Sequence, residues 1–141
     1  VPNASPYHLN KERARVAVAR SRLVEAGLPI VYANLVGGQD ELVFDGGSFA
    51  LNSQGQVVMA MPQFDVGLGF VSVNAQGELE QGLITPPQSI EAQAYQALVL
   101  GVRDYIQKNR FPGVIIGLSG GVDSALVLAI AVDAFAGQLG V

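Results

Sequence analysis

The chain has 141 residues, 50% of them hydrophobic and 14% charged, with a formal net charge of −4 and no cysteine. That balance excludes a disulfide scaffold and a thiolate zinc site, and it argues against an extended nucleic-acid-binding surface. The apolar run from Ala125 to Ala136 is broken by Asp133 and is too short to span a bilayer. With no leader pattern at its start, the expectation is a cytoplasmic protein.

Lys11 to Ala26 predicts a helix, with Val16, Leu23 and the alanines on one side and the arginines on the other. Gly27 fits the position after a helix end, and Pro29 prevents continuation. Ile30 to Val36 predicts a mostly buried strand, and Gly37 to Glu41 a glycine-opened loop with clustered polar groups. Leu42 to Phe44 reads as a short strand and Asp45-Gly46-Gly47 as a turn. Ser48 to Ala60 predicts a hairpin about Asn52-Ser53-Gln54-Gly55. Met61 to Gly82 is turn-rich, with a second tip at Asn74-Ala75-Gln76-Gly77.

Thr85-Pro86-Pro87-Gln88-Ser89 marks a stiff boundary between a β-rich half and a helical start. Ser89 is placed to cap a helix from Ile90 to about Asn109, which Phe111-Pro112-Gly113 ends. Val114 to Leu118 predicts a strand, Ser119-Gly120-Gly121-Val122-Asp123-Ser124 a loop, and the apolar run from Ala125 a second helix. Tyr95 and Tyr105 fall on the first of these helices as packing residues, and the sole histidine, His8, reads as structural.

Strand, glycine loop and helix in that order build a phosphate cradle. Adjacent glycines let the backbone approach an anion, and the first amides of the helix are unpaired and aligned with its dipole. Ser119 and Ser124 add hydroxyls. Asp123 would repel phosphate unless a cation such as Mg²⁺ lies between them. The lysine that the common nucleotide loop sets against the β- and γ-phosphates is missing, since no lysine occurs after Lys108. One strand cannot make a parallel sheet. The second half is therefore expected to open a larger domain, and the chain to be an internal segment of a longer polypeptide.

S-G-G-V-D-S resembles the pyrophosphate loop of the ATP pyrophosphatase families, which split ATP between the α- and β-phosphates and transfer AMP to a substrate oxygen. Several families share that loop. The first half separates them. Asn3-Ala4-Ser5-Pro6-Tyr7, Lys11 with Arg13 and Arg15, Leu28 to Asn34, and Val36 to Ser48 (V-G-G-Q-D-E-L-V-F-D-G-G-S) resemble the glutaminase half of the glutamine-dependent NAD synthetase family. The combination of that half with G-L-S-G-G-V-D-S is far more specific than either part.

The resemblance implies an α/β chain. A partial nitrilase-type α-β-β-α sandwich would be followed by the first strand, loop and helix of a parallel-sheet ATP pyrophosphatase (adenine nucleotide alpha hydrolase-like) domain. The expected division is 1–84, a linker at 85–90, and 91–141. It implies L-glutamine binding by Ser5 and Lys11. It implies ATP binding by Gly117, Leu118, Ser119, Gly120, Gly121, Val122, Asp123 and Ser124, with Asp123 also holding Mg²⁺. The implied reaction amidates nicotinic acid adenine dinucleotide to NAD with glutamine-derived ammonia, in a homo-oligomer, with ATP and Mg²⁺ and no prosthetic group. The cysteine, glutamate and lysine of the glutaminase site are expected upstream, leaving no catalytic residue in the segment and no activity in it alone. The alternatives are another adenylating enzyme of the loop family (an amidotransferase or tRNA thiolase) and a non-catalytic assembly segment. Gln39, Asp40 and Glu41 are read as loop or contact residues rather than a catalytic cluster.

Overall fold

A computed structural model describes residues 1–136. In chain order the elements are β1 (Pro2–Asn3), α1 (Lys11–Ala26), β2 (Ile30–Asn34), β3 (Val36–Gln39), β4 (Leu42–Asp45), β5 (Phe49–Leu51), β6 (Val57–Ala60), α2 (Ile90–Lys108) and α3 (Val122–Phe135). The result is an α/β structure with a mixed sheet.

Four strands form that sheet in the order β1-β2-β5-β6. β1 runs parallel to β2 with Asn3 opposite Asn34, while β2–β5 and β5–β6 are antiparallel. Side chains alternate across a strand, and β5 divides its residues between two faces accordingly. Phe49, Leu51 and Tyr32 pack against Ala19 and Leu23 of α1, whereas Ala50 faces the other way with Val58 and Met59. Met61, Val71 and Leu79, from the turn-rich stretch after β6, cover that second face. Tyr32 and Phe49 stack with ring centroids 4.9 Å apart.

β3 and β4 form a separate hairpin, closed at Asp40-Glu41 and paired from Val36–Asp45 to Gln39–Leu42. α2 lies on this hairpin. Ala97 and Leu100 pack with Phe64, Val36, Val43 and Tyr7. Two sequence expectations change here. Ile30 to Val36 is not one buried strand: the chain breaks at Leu35 and passes to the second sheet, and Val31 and Leu35 are exposed. Gly37 to Gln39 is strand rather than loop. The glycines are there because α2 comes close: a Cβ on Gly38 would sit 3.2 Å from the Gly101 Cα and 3.2 Å from the Asp104 Cβ.

Both longer helices end as their caps direct. The Gly27 N–H bonds Leu23 O at 2.8 Å, closing α1. Ser89 Oγ accepts the Ala92 N–H at 3.2 Å, opening α2. α3 packs on α2 through Ile130, Ala131 and Ala134, and the Tyr95 hydroxyl donates to Asp133 at 2.6 Å. Tyr95 therefore joins the two helices through a hydrogen bond, beyond the packing expected of it. That bond to Asp133 is the main cause holding the phenol above its ordinary pKa.

The strand expected at Val114 to Leu118 does not form. That stretch carries no ladder among the described residues, and Val114, Ile115 and Leu118 are exposed. A strand is defined by its partner, and among the described residues no strand pairs with this one, which lies instead against α2 and α3. The helix after the loop is also less enclosed than its apolar sequence suggests, with Val122, Leu126, Val127 and Val132 exposed.

Candidate functional site

The polar centre of the first half is built on α1. Arg15, Ala19 and Leu23 recur every fourth residue and share its buried face. This corrects the expectation for Arg15 alone, since Arg13, Arg20 and Arg22 lie on the exposed side as expected. The Arg15 guanidinium grips Asp45 at the end of β4 bidentately, Nη1 to Oδ2 at 2.8 Å and Nη2 to Oδ1 at 2.6 Å. The two side chains are 4% and 0% exposed. Gln63 Nε2 adds a third donor to Asp45 at 2.9 Å. A buried pair of this kind must be paired and fully hydrogen-bonded to persist.

Ser5 sits at the edge of that centre. Its hydroxyl accepts from Arg15 Nε at 3.2 Å and its carbonyl from Arg15 Nη2 at 2.8 Å. Its N–H donates to Asn34 Oδ1 at 2.8 Å, and Asn34 Nδ2 returns a bond to the Ser5 carbonyl at 3.2 Å. Lys11, at the start of α1, is half-buried. Ser5 and Lys11 line one open cavity of about 300 Å³ together with Arg15, Arg22 and Tyr32. The structure thus brings the two expected glutamine-side residues together.

Beneath them the chain takes an uncommon turn. Phe64 is buried with φ of 61°, a left-handed conformation that costs a side-chain-bearing residue about 1–2 kcal/mol. It is held by its N–H to Asp45 O at 2.8 Å and by an edge-on contact with Tyr7, centroids 5.3 Å apart. The Tyr7 hydroxyl is buried and has no hydrogen-bond partner among the described residues. Burial, and secondarily the Asp45 carboxylate, push its pKa above the ordinary phenol value.

The glycine loop is built differently. Gly120 has φ of 85°, which only glycine adopts without strain. Gly121 is extended and caps α3 with no side-chain cap bond. The Ala125 N–H bonds Gly121 O at 3.1 Å, so the amides of Val122, Asp123 and Ser124 have no partner within the helix. Ser119 Oγ lies 3.1 Å from Ser124 Oγ, which in turn donates to Gly121 O at 2.9 Å. A Cβ on Gly121 would lie 3.8 Å from Ser119 Oγ, at ordinary van der Waals contact. Free amides and paired hydroxyls suit an oxyanion. Asp123 stands exposed in the first turn of α3. Among the described residues no group of three or more His, Asp or Glu side chains gathers as a metal cage. None of the loop residues lines the cavity at Ser5 and Lys11.

A family model described as NAD synthase matches residues 94–141. A glutamine-dependent NAD(+) synthetase of Rhodobacter capsulatus is 45% identical over 144 residues, covering 95% of this chain and 25% of that protein. One from Synechocystis is 46% identical over 134 residues, covering 94% and 24%. The solved structure of the glutamine-dependent NAD+ synthetase of Acinetobacter baumannii, in complex with ADP, superposes with a TM-score of 0.87 at 43% identity, over 94% of this chain and 25% of that one. Nearly the whole chain is thus similar to part of the glutamine-dependent NAD(+) synthetases. It spans about a quarter of the length of the curated relatives it matches. Among the described residues no helix is long and apolar enough to cross a membrane.

Sequence reasoning missed the Arg15–Asp45–Gln63 centre. The signal for Arg15 was present: it lies four residues before Ala19 and eight before Leu23, on the helix's apolar face. For Asp45 there was none, because an Asp-Gly-Gly string reads as a turn whether or not its carboxylate is buried.

Proposed function

We propose that this chain is a segment of a glutamine-hydrolysing NAD synthetase. Residues 1–84 would form the end of a nitrilase-like glutaminase domain, 85–90 the linker, and 91–141 the start of an ATP pyrophosphatase domain. The observation that carries the reading is the pairing, in one chain, of a Ser5–Lys11 cavity with an open amide-and-hydroxyl loop at Ser119 to Ser124. The ADP bound by the Acinetobacter relative is consistent with an adenine nucleotide at the second site.

In this reading the substrate carboxylate of nicotinic acid adenine dinucleotide attacks the α-phosphorus of ATP and pyrophosphate leaves. Ammonia released from glutamine then attacks the acyl carbon and AMP leaves, giving the carboxamide. Activation is needed because a carboxylate is a poor electrophile. The segment's own part is to bind. Gly117 to Ser124 receive the phosphates, with the amides of Val122 to Ser124 and the hydroxyls of Ser119 and Ser124 as donors. Asp123 supplies a hard, exposed oxygen of the kind Mg²⁺ takes alongside substrate phosphates, which fits that ion. When bound, Mg²⁺ would neutralise charge on the departing pyrophosphate. Lys11 pairs with the α-carboxylate of glutamine and Ser5 with one of its polar ends. Homo-oligomeric assembly and a cytoplasmic location belong to the same reading.

The test is NAD formation by the full-length polypeptide from the acid dinucleotide, ATP and Mg²⁺, with glutamine and ammonia compared. Product is expected with both donors, and Lys11→Ala should impair only the glutamine route. AMP transfer to a different acceptor, with none to the acid dinucleotide, would overturn the assignment.

A further inference from the structure

The N–H, carbonyl and hydroxyl of Ser5 all have partners inside the protein, and Arg15 occupies one of the two lone pairs of the hydroxyl while its proton stays uncommitted. Arg15 Nε donates to Ser5 Oγ at 3.2 Å, while Arg15 Nη2 and Asn34 fix the Ser5 backbone on both sides. A serine hydroxyl that accepts from a guanidinium, which has no acceptor of its own, keeps its proton free to donate outward. The Arg15 charge is meanwhile taken up by Asp45 through two bonds of 2.8 and 2.6 Å, and Asp45 is itself pinned by Gln63. The guanidinium is thus fixed in plane and orientation, and its charge is matched inside the protein.

We propose that Arg15 is a positioning residue for substrate recognition: held by Asp45, it locks Ser5 as a hydrogen-bond donor aimed at an oxygen acceptor of the bound amino acid. This rests on the glutamine-binding reading of Ser5 and Lys11 and deepens it. The class of group selected is a carbonyl or carboxylate oxygen, which takes the uncommitted hydroxyl proton, while the guanidinium beside Ser5 Oγ disfavours an ammonium there. Lysine cannot replace Arg15, because its single ammonium cannot hold Asp45 at two oxygens and reach Ser5 Oγ and O as well.

The experiment uses the full-length polypeptide and measures NAD formation with glutamine and with ammonia. Arg15→Lys should raise the KM for glutamine on the order of tenfold, the loss of a charge-assisted bond, with the ammonia-driven rate held within about twofold. In a Ser5→Ala background, Arg15→Lys should add no further rise, because Arg15 acts through Ser5. A fall of both routes by one common factor, an unchanged glutamine KM, or additive effects in the double variant would each overturn the proposal. Should Arg15→Lys fail to fold, Asp45→Asn takes its place. It preserves shape and leaves Arg15 with a weaker anchor, and the same split between the two donors is required of it. A wild-type protein that makes NAD from ammonia but not from glutamine overturns the glutamine-site reading and the inference with it. A wild-type protein active with both, and variants that fail the split, overturn the inference alone.

Discussion

The two candidate sites of this chain handle polar groups in opposite ways. Around Ser5, Arg15, Asp45, Asn34 and Gln63 answer one another, and the cluster sits on a closed layer of helix and sheet. Around Ser119, among the described residues, the hydroxyls meet only each other and the backbone of the loop, the first helix amides have no partner, and the flanking Ile115 and Val122 are exposed. The first arrangement fixes one side chain in one role. The second presents many weak donors to whatever anion arrives. An amino acid distinguished by an amide needs the former, and a diffuse phosphate charge is served by the latter.

The sharpest way to break that comparison is at Asp45. Asp45→Ala leaves Arg15 charged and buried without its partner, and is expected to cost about 3–5 kcal/mol, read as a fall in the urea midpoint. A loss below about 1 kcal/mol would show that the centre is open to water. At the other site, Asp123→Asn is expected to lower NAD formation on the order of a hundredfold with both nitrogen donors while glutamine hydrolysis persists. Loss of folding instead would move Asp123 from the binding role to a structural one.

Smaller effects sharpen the contrast. Gly38→Ala must push α2 away from the hairpin, since the new methyl would meet the Gly101 Cα at 3.2 Å. About 1–3 kcal/mol is expected, and thermal unfolding measures it. Tyr7→Phe removes a buried hydroxyl that has no partner among the described residues, so stability should stay level or rise by up to about 1 kcal/mol. It should also lessen alkaline sensitivity. A phenol whose folded pKa is raised contributes fully below its unfolded value near 10 and loses that contribution as pH climbs through the folded one. Unfolding curves at neutral and alkaline pH, compared between the two proteins, read this directly.

How much of the molecule is legible in its sequence depends on how local each feature is. α1 and α2 carry their own stop and start residues, Gly27 and Ser89, and their observed ranges nearly match the expected ones. The tip at Asn74 to Gly77 is also self-contained: Asn74 Oδ1 accepts from the Gln76 and Glu78 amides. The split of Ile30 to Gln39 into strands of two sheets was not legible, because the break at Leu35 depends on which neighbour each half finds. Nor was the absence of pairing at Val114 to Leu118, where β-branched residues predict a strand but only a partner makes one. At the site, Ser5 and Lys11 were found through resemblance, and they line one cavity. Their support was hidden, since a salt bridge between residues thirty apart leaves no mark in either local string.

The contact between the β3–β4 hairpin and α2 bears on how such a protein can be recombined. Asp104 accepts the Gly38 N–H at 2.8 Å, and Lys108 Nζ donates to the Gly38 carbonyl. The chain passes from strands to helices at Thr85 to Ser89, yet the next helix returns to seat its glycine against a glycine of the earlier part. A chimera spliced at the prolines would therefore inherit a lock from one parent and a key from the other. Compatible parents are those that keep glycine at 38 and 101 and an acid at 104, a rule for shuffling that can be applied from the sequence alone.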